Sequence, residues 1–593
     1  MGKTFVEKIL GATEGSIVFR KPDIILTHDN TASIRNTFLK MNGRKIYDPG
    51  RLLVVLDHNA PPTSSKLAND YQSIREFVRT EGIDKFYDAG SGICHQVMSY
   101  HARPGMIIVG SDSHTCTAGA FDTLAAGIDR TEAAGIWKTG ETWFRVPSSI
   151  KITLNGKLPE GVYAKDLSLW IIGMIGSAGA NYMSVEYHGE GLTSLNISDR
   201  MTLANLASEM GAKNAVFPAD EVLKAFYGEK ELPEAIWADD DAKYAREIEI
   251  GMDDIYPLVA APHHVDNVRS VPEVGGTPVQ QGLIGTCTNG RIEDIRIAAE
   301  ILRGQKIADG FQLHVIPASK EIFLQSVREG LVEILMEAGA AFLSSSCGPC
   351  LGTGQGIPAD GVTVISTANR NFSGRMGNKN ASVFLASPAT VAWSALKGKI
   401  TDPRLRPCNE IFPYEVKQSD TISIAPGQNR RKDKIWDYSD ADNINTDQMF
   451  AGNLTYNILS SDAEAILPHL LEGFDPDFTK FVQSGDIIIA GENFGCGSSR
   501  EHPAVGLAHL GIQAIIVKSV NRIFFRSAVN QGLLLIVSPE AVDLYAKTGH
   551  LELDLKNGLI DCGNTRLNIP ALPGKLNNIL EKKGLVNWML EEE

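Results

Sequence analysis

Four apolar runs, each followed at once by chemically capable polar residues, constrain the fold of this chain more than any other feature. LLVVL (52–56) leads into Asp57 and His58, and MIIVG (106–110) leads into SDSHT, with Asp112, Ser113 and His114. VTVIS (362–366) precedes TANRNFSGR, with Arg370 and Arg375. DIIIAG (486–491) precedes ENFGCGSSREH, with Ser498, Ser499 and Arg500. Short apolar runs alternate with amphipathic stretches such as SIREFVRTEG (73–82) and IEDIRIAAEIL (292–302). That alternation predicts α/β domains with largely parallel sheets. Ligands in such sheets bind beyond the carboxyl ends of the strands, so the four clusters are expected to form one composite site.

At 593 residues the chain is too long for a single core, and roughly four domains are expected. Around 425–446 the stretch PGQNRRKDKIWDYSDADNINTD is polar and nearly free of aliphatic residues, which reads as a linker or domain entry. The expected organisation is a large α/β body over 1–424, a linker or domain entry over 425–446, and a smaller α/β domain over 447–593.

Charge narrows the partners. The net charge of −15, with no basic run, excludes nucleic acid as an expected partner. The N-terminal MGKTFVEKILGATEGS lacks the apolar core of a secretory signal. The longest apolar run, LWIIGMIGSAGA (169–180), is too short and too glycine-rich to span a bilayer. A cytoplasmic protein with no membrane partner is expected, and its eight cysteines read as free, ligating or catalytic instead of disulfide-bonded.

SSSCGPCLGTG (344–354) places Cys347 and Cys350 in a glycine-rich turn. A redox dithiol would sit in a small thioredoxin-like unit near a chain start, which this is not. A structural zinc site commonly needs a second cysteine pair, and none is present. Two buried structural cysteines remain an alternative. A further reading adds Cys287, from LIGTCTNGRIEDIR, to make three thiolate ligands. An iron–sulfur cluster normally takes four, so one iron would stay open and able to act as a Lewis acid. Cys94, Cys116 and Cys496 lie in motifs that read better as substrate-side loops.

Taken in order, GSDSHT, GTCTNGRIEDIR, SSSCGPCLG, TANRNFSGRMG and GENFGCGSSREH resemble the aconitase superfamily, essentially from end to end. The GTCTNGRIED form is most similar to the 3-isopropylmalate dehydratase and homoaconitase branch, here with the small swivel domain fused behind a three-part cluster body. The resemblance implies a [4Fe–4S] cluster on Cys287, Cys347 and Cys350. It also implies dehydration, and often rehydration, of a small 2-hydroxy acid. Ser498 matches the family's base. The Gly495-Cys496-Gly497 turn before it can present N–H groups, and Arg500 adds positive charge. His58, oriented by Asp57, matches the acid for the departing hydroxyl. Asp112 and His114 match a second pair, with His95 and Glu186 supporting it. Arg370, Arg375 and Arg500, with Ser113 and Ser499, match residues that hold substrate carboxylates, and Asn30 is expected to line the same pocket.

One departure bears on the substrate. From Lys432 to Ser499 there is no arginine, whereas aconitases and homoaconitases are expected to hold a third carboxylate with one in this region. A loop lined by Met449, Phe450, Leu454 and Tyr456 favours an alkylmalate such as 3-isopropylmalate over citrate or homocitrate. A cluster-sensing RNA-binding regulator is the competing class, and both the acidic charge and the complete residue set argue against it. A homo-oligomer stays open.

Overall fold

The computed structural model describes residues 2–591, except 230, 231, 233, 234, 405–408, 415–422, 456, 564 and 573. The chain divides into two compact units that do not follow sequence order. Met1–Thr31, Pro49–Gly127 and Trp143–Gln418 form the first, while Ala32–Asp48 and Ile128–Thr142 join Ser419–Glu593 in the second. The expected break near 425 is close, but the two N-terminal excursions were not legible. Nothing in an amphipathic pattern says which core a helix will cover.

Three larger sheets lie in the first unit. A five-stranded parallel sheet runs in the order Lys85–Tyr87, Leu52–Val55, Ile24–Thr27, Ile107–Gly110, Leu124–Gly127. A four-stranded parallel sheet is built from Asn214–Val216, Ser184–His188, Ser149–Asn155 and Arg246–Gly251. The third has seven strands, Val268–Ser270, Leu258–Ala260, Ser382–Ala386, Thr363–Ser366, Gln281–Ile284, Gln312–Val315 and Ala341–Phe342. In it the first two strands are antiparallel additions to a parallel core.

The apolar runs are strands because they are buried on both faces, as continuous Val, Ile and Leu demand in a parallel sheet. All four residues of Leu52–Val55 and of Ile107–Gly110 are buried. Crossover helices carry local stop and start signals. Ser65–Glu81 begins where Ser64 Oγ accepts from Leu67 N, and it ends at Gly82, whose φ of 68° favours glycine. Its buried face is Leu67, Tyr71, Ile74, Phe77 and Val78, spaced three and four residues apart.

The second unit has a five-stranded sheet, Arg431–Lys432, Ile435–Tyr438, Ile487–Ala490, Ala514–Val517 and Leu535–Val537, parallel apart from its first hairpin. Of the two readings of 425–446, linker or domain entry, the strands Arg431–Lys432 and Ile435–Tyr438 accord with domain entry. Trp436 and Tyr438 are fully buried there, and their polar atoms reach Asp486 at 3.0 Å and Asp475 at 2.8 Å. A sequence window rich in charge hid a strand whose aromatics carry the burial.

The excursion helix Arg130–Thr139 is tied into this unit by buried ionic contacts. Glu132 forms a two-pronged pair with Arg526, whose Nε donates to Oε2 at 2.7 Å, and Asn530 donates to Asp129 at 2.7 Å. Both members of the ion pair are almost wholly buried. Arg526→Met should therefore strand the Glu132 carboxylate and destabilise the unit by about 3–5 kcal/mol. The double variant Arg526→Met/Glu132→Leu should recover most of that loss. Urea unfolding of the three proteins checks the pattern, and equal losses in single and double variants would contradict it.

Candidate active site

Within the first unit, the candidate residues stand at the carboxyl ends of strands in two sheets. Asp57 and His58 follow Leu52–Val55, and Asp112 and His114 follow Ile107–Gly110. Cys287 follows Gln281–Ile284, and Arg370 follows Thr363–Ser366. Short backbone contacts join the two sets of loops: Cys347 N donates to Asp57 O at 3.3 Å and Ile93 N to Ala318 O at 2.8 Å.

Side chains then form a continuous buried chain. Asp57 Oδ1 lies 2.8 Å from His58 Nδ1, and its Oδ2 accepts from Cys94 N at 2.7 Å. His58 Nε2 is 3.5 Å from Asp112 Oδ2, whose Oδ1 partners His95 Nε2 at 2.8 Å and the His114 backbone N–H at 2.8 Å. Burial opposes a charged His58 ring, yet the flanking Asp57 and Asp112 carboxylates lift its pKa well above the ordinary histidine value. Burial also works against the Asp112 carboxylate, but hydrogen bonds from His114, His58 and His95 hold it well below the usual range. The site thus keeps an imidazolium beside carboxylates in a dry environment, which is the state a proton donor needs.

The chain ends at a residue that the sequence reading missed. Glu209 Oε1 takes His114 Nε2 at 2.8 Å, and its Oε2 accepts from Arg370 Nε at 3.0 Å. Against the cost of burial, Arg370 and His114 bring the Glu209 carboxyl down to about 2. Arg370 Nη2 also donates to Ser113 Oγ at 3.1 Å. Glu186, expected in this network, is not in it. Its oxygens accept from Phe5 N and Tyr244 OH, both at 3.0 Å, and so anchor the N-terminal helix. A carboxylate inside ANLASEMGA, among small apolar residues, was the available signal for Glu209, because a buried carboxylate there needs a partner.

Asn30 lies beside the same loops. Its Oδ1 accepts from Ser111 Oγ at 3.0 Å and its Nδ2 lies 2.8 Å from His28 Nε2. The amide braces two strand-end loops, and the His28 ring stacks on His58 with centroids 3.7 Å apart.

The three cysteines gather at the same end. Cys287 Sγ lies within 4.8 Å of ring nitrogens of His95 and His114. It accepts from Asn369 Nδ2 at 3.2 Å and from Asn205 Nδ2 at 3.4 Å. Arg375 Nη2 is 3.9 Å from Cys350 Sγ. Burial and the neighbouring Cys350 push the Cys287 thiol up to about 12. Burial, Asp57 and the other two cysteines raise Cys347 well above its ordinary value. Thiols so crowded are poor anions by themselves, so this donor set suits a cationic centre that displaces their protons. Three thiolates with amide and guanidinium donors on the sulfurs fit a four-iron cluster with one iron left without a cysteine.

Lys165 completes the surroundings, and no sequence signal singled it out. It is fully buried near the start of Ala164–Ile175, and its Nζ donates to Thr367 O at 2.9 Å and Ala368 O at 2.6 Å. Burial lowers its pKa to about 7, while Cys287, Cys350 and Glu209 act in the opposite direction.

In the second unit, Ser498 is half-buried in the turn after Ile487–Ala490. Gly495 has φ 74° and Gly497 φ 99°, and a Cβ on Gly495 would come within 2.3 Å of the Phe524 ring. Those two glycines set the turn. Thr446 Oγ1 donates to Ser498 O at 3.0 Å, and Ser499 Oγ donates to Ile128 O at 3.2 Å. Arg500 donates to Phe450 O at 2.8 Å and pairs with Asp447, with Nη2 3.4 Å from Ser498 Oγ. Asp447 was another omission, at the first residue of the expected second domain. Met449 and Phe450, expected to line a substrate loop, are instead fully buried in this unit's core, where Phe450 stacks on His502 at 4.6 Å. Tyr456 lies outside the described residues.

Strand-end loops that line up carboxylates, imidazoles and thiols are equipped for moving protons and hydroxyl groups, the work of a lyase. The profile of the aconitase family (aconitate hydratase) matches residues 3–276 and 272–398, and that of the aconitase C-terminal domain matches 430–541. The chain belongs to the aconitase family and is a hydro-lyase. It is 45% identical to 3-isopropylmalate dehydratase large subunit 1 of Methanopyrus kandleri, over 68% of this chain and 99% of that one. A probable methanogen homoaconitase large subunit from Methanosarcina mazei is 46% identical, over 64% and 98% respectively. The mitochondrial homoaconitase of Debaryomyces hansenii is 32% identical, over 97% of this chain and 92% of its own length. Among the described residues no helix is long and apolar enough to cross a membrane.

Proposed function

We propose that this enzyme dehydrates and rehydrates an alkylmalate, 3-isopropylmalate or a smaller methylated malate, with a [4Fe–4S] cluster held by Cys287, Cys347 and Cys350. The carrying observation is the buried chain from His58 through Asp112, His114 and Glu209 to Arg370, beside the thiols of Cys287, Cys347 and Cys350. The cluster, when bound, supplies Lewis acidity towards the substrate hydroxyl. The rest is work for side chains. Ser498 Oγ, as its alkoxide, takes the proton from carbon, and the freed electron pair becomes the double bond. The C–O bond to the adjacent carbon breaks, and the hydroxyl leaves as water with a proton from His58. Arg370 and Arg375 pair with substrate carboxylates and stabilise the charge that builds as the proton leaves. Arg500, already tied to Asp447, is assigned to the same task and to stabilising the Ser498 alkoxide.

The substrate assignment rests on the missing arginine. A third carboxylate without a cationic partner would cost several kcal/mol to desolvate. Even about 3 kcal/mol exceeds a hundredfold in relative kcat/KM. An anaerobic assay on 3-isopropylmalate, 2,3-dimethylmalate, citrate and homocitrate should show the alkylmalates preferred by at least that factor. Thr455→Arg, in the loop after Gly452–Leu454, should move the preference towards the tricarboxylates. Equal or better kcat/KM on citrate in the unmodified enzyme would reject the assignment and mean that another basic residue supplies the charge. Homoaconitate is the second reading, favoured by the fused homoaconitase that matches the chain almost from end to end.

A further inference from the structure

Asp29 follows the strand Ile24–Thr27, the neighbour of Leu52–Val55 in the five-stranded sheet. Its carboxylate is buried, and among the described residues five neutral donors converge on it. Oδ1 accepts from the backbone N–H of Asp57 at 3.0 Å and of His58 at 3.2 Å. Oδ2 accepts from Asn59 N at 2.7 Å, from Tyr71 OH at 2.7 Å and from Asn59 Nδ2 at 3.4 Å. One side chain thus fixes three consecutive N–H groups of the loop that carries the Asp57–His58 pair. Two carboxylate oxygens offer about four lone-pair sites, and these donors saturate them. A neutral amide in the same place has one acceptor oxygen and turns its NH2 on the remaining donors.

The pinned loop leaves His58 little freedom. Its Nδ1 is held by Asp57 at 2.8 Å, and Asp57 is itself held by Cys94 N at 2.7 Å. His28, next to Asp29 in the chain, stacks on the His58 ring with centroids 3.7 Å apart and planes 12° apart. Nε2 is the working end, 3.5 Å from Asp112 Oδ2. A shift of the loop carries that atom with it, and a misplacement of about 1 Å costs about 10²-fold in rate.

We infer that Asp29 is a positioning residue for His58: it sets the loop from which the imidazole delivers its proton, and it has no contact with substrate. The inference rests on the proposed role of His58 as the acid for the departing hydroxyl. A residue that acts through His58 matters only while the imidazole is there. A residue that merely supports the fold costs the same whether or not His58 is present, because independent effects add in free energy and multiply in rate.

The test is a double-mutant cycle on wild type, Asp29→Asn, His58→Gln and Asp29→Asn/His58→Gln. Thermal unfolding and iron and sulfide content are measured on each preparation, and kcat and KM are measured anaerobically with the preferred alkylmalate. Asp29→Asn should keep its iron and its KM and lose about 10²-fold in kcat. His58→Gln should lose about 10²–10⁴-fold, and the double variant should be no slower than His58→Gln alone. Losses that multiply in the double variant would overturn the inference and assign Asp29 to the scaffold. Near-native kcat in Asp29→Asn would overturn it as well. If Asp29→Asn does not fold, Tyr71→Phe takes its place in the cycle, because it removes one of the donors and keeps the buried ring. A severalfold loss of kcat that vanishes in the His58→Gln background then supports the inference, and an unchanged kcat or a loss that persists there overturns it. Native kcat in His58→Gln would sink the proposed function instead, so the two failures are distinguishable.

Discussion

Ser498→Ala is expected to fold normally, retain full iron and sulfide, bind substrate with little change in KM, and lose about 10²–10⁴-fold in kcat. The serine hydroxyl is half-exposed and is not a core contact, so its removal should cost little stability. Its environment supports the proposed role of base. Gly495 and Gly497 turn the backbone, and Arg500 Nη2 stands 3.4 Å from Oγ while Asp447 and Phe450 O fix the guanidinium. A cation so placed favours the alkoxide. Because proton transfer occurs only on the way to the transition state, the loss should fall on kcat and kcat/KM together. Steady-state kinetics with the preferred alkylmalate, beside iron and sulfide assays of the same preparation, checks this. A raised KM with kcat preserved would demote Ser498 to a binding residue.

The architecture was legible because the strands announce themselves. Leu52–Val55, Ile107–Gly110 and Thr363–Ser366 are apolar runs in a chain whose sheets are buried on both faces, and each ends in the residues singled out. Position at a strand end is a property of the local sequence, which is why the placement of Asp57, His58, Asp112, His114, Cys287 and Arg370 could be read directly. The misses have a common physical form. Glu209 and Lys165 lie on or beside helices, where the sequence shows a polar residue but not whether a partner from another sheet meets it. Glu186 was misplaced for the converse reason. It ends up inside the four-stranded sheet with its carboxylate spent on Phe5 and Tyr244, a pairing across long sequence separation. Trp436 and Tyr438 were lost to composition, because charged neighbours disguised two buried aromatics.

Cys350→Ser should lose the cluster and all measurable hydratase activity, and its iron and sulfide contents separate the possible chemistries of the pair. Cys350 is buried and close to Arg375 and Asn369, an environment that a serine hydroxyl can occupy without a clash. What serine cannot supply is a soft thiolate ligand. Under the cluster reading, anaerobic wild type carries about four irons and four sulfides. Cys287→Ser, Cys347→Ser and Cys350→Ser should each lose them, while Cys562→Ala, from a buried cysteine of the second unit's core, should keep them. A zinc site would give zinc without sulfide. A redox dithiol would give no metal and a thiol titre that changes with oxidant. With only three cysteine ligands, air should first release the one iron that no thiolate holds, so activity should fall before the sulfide is lost. Full iron and activity in Cys350→Ser would refute the three-ligand arrangement.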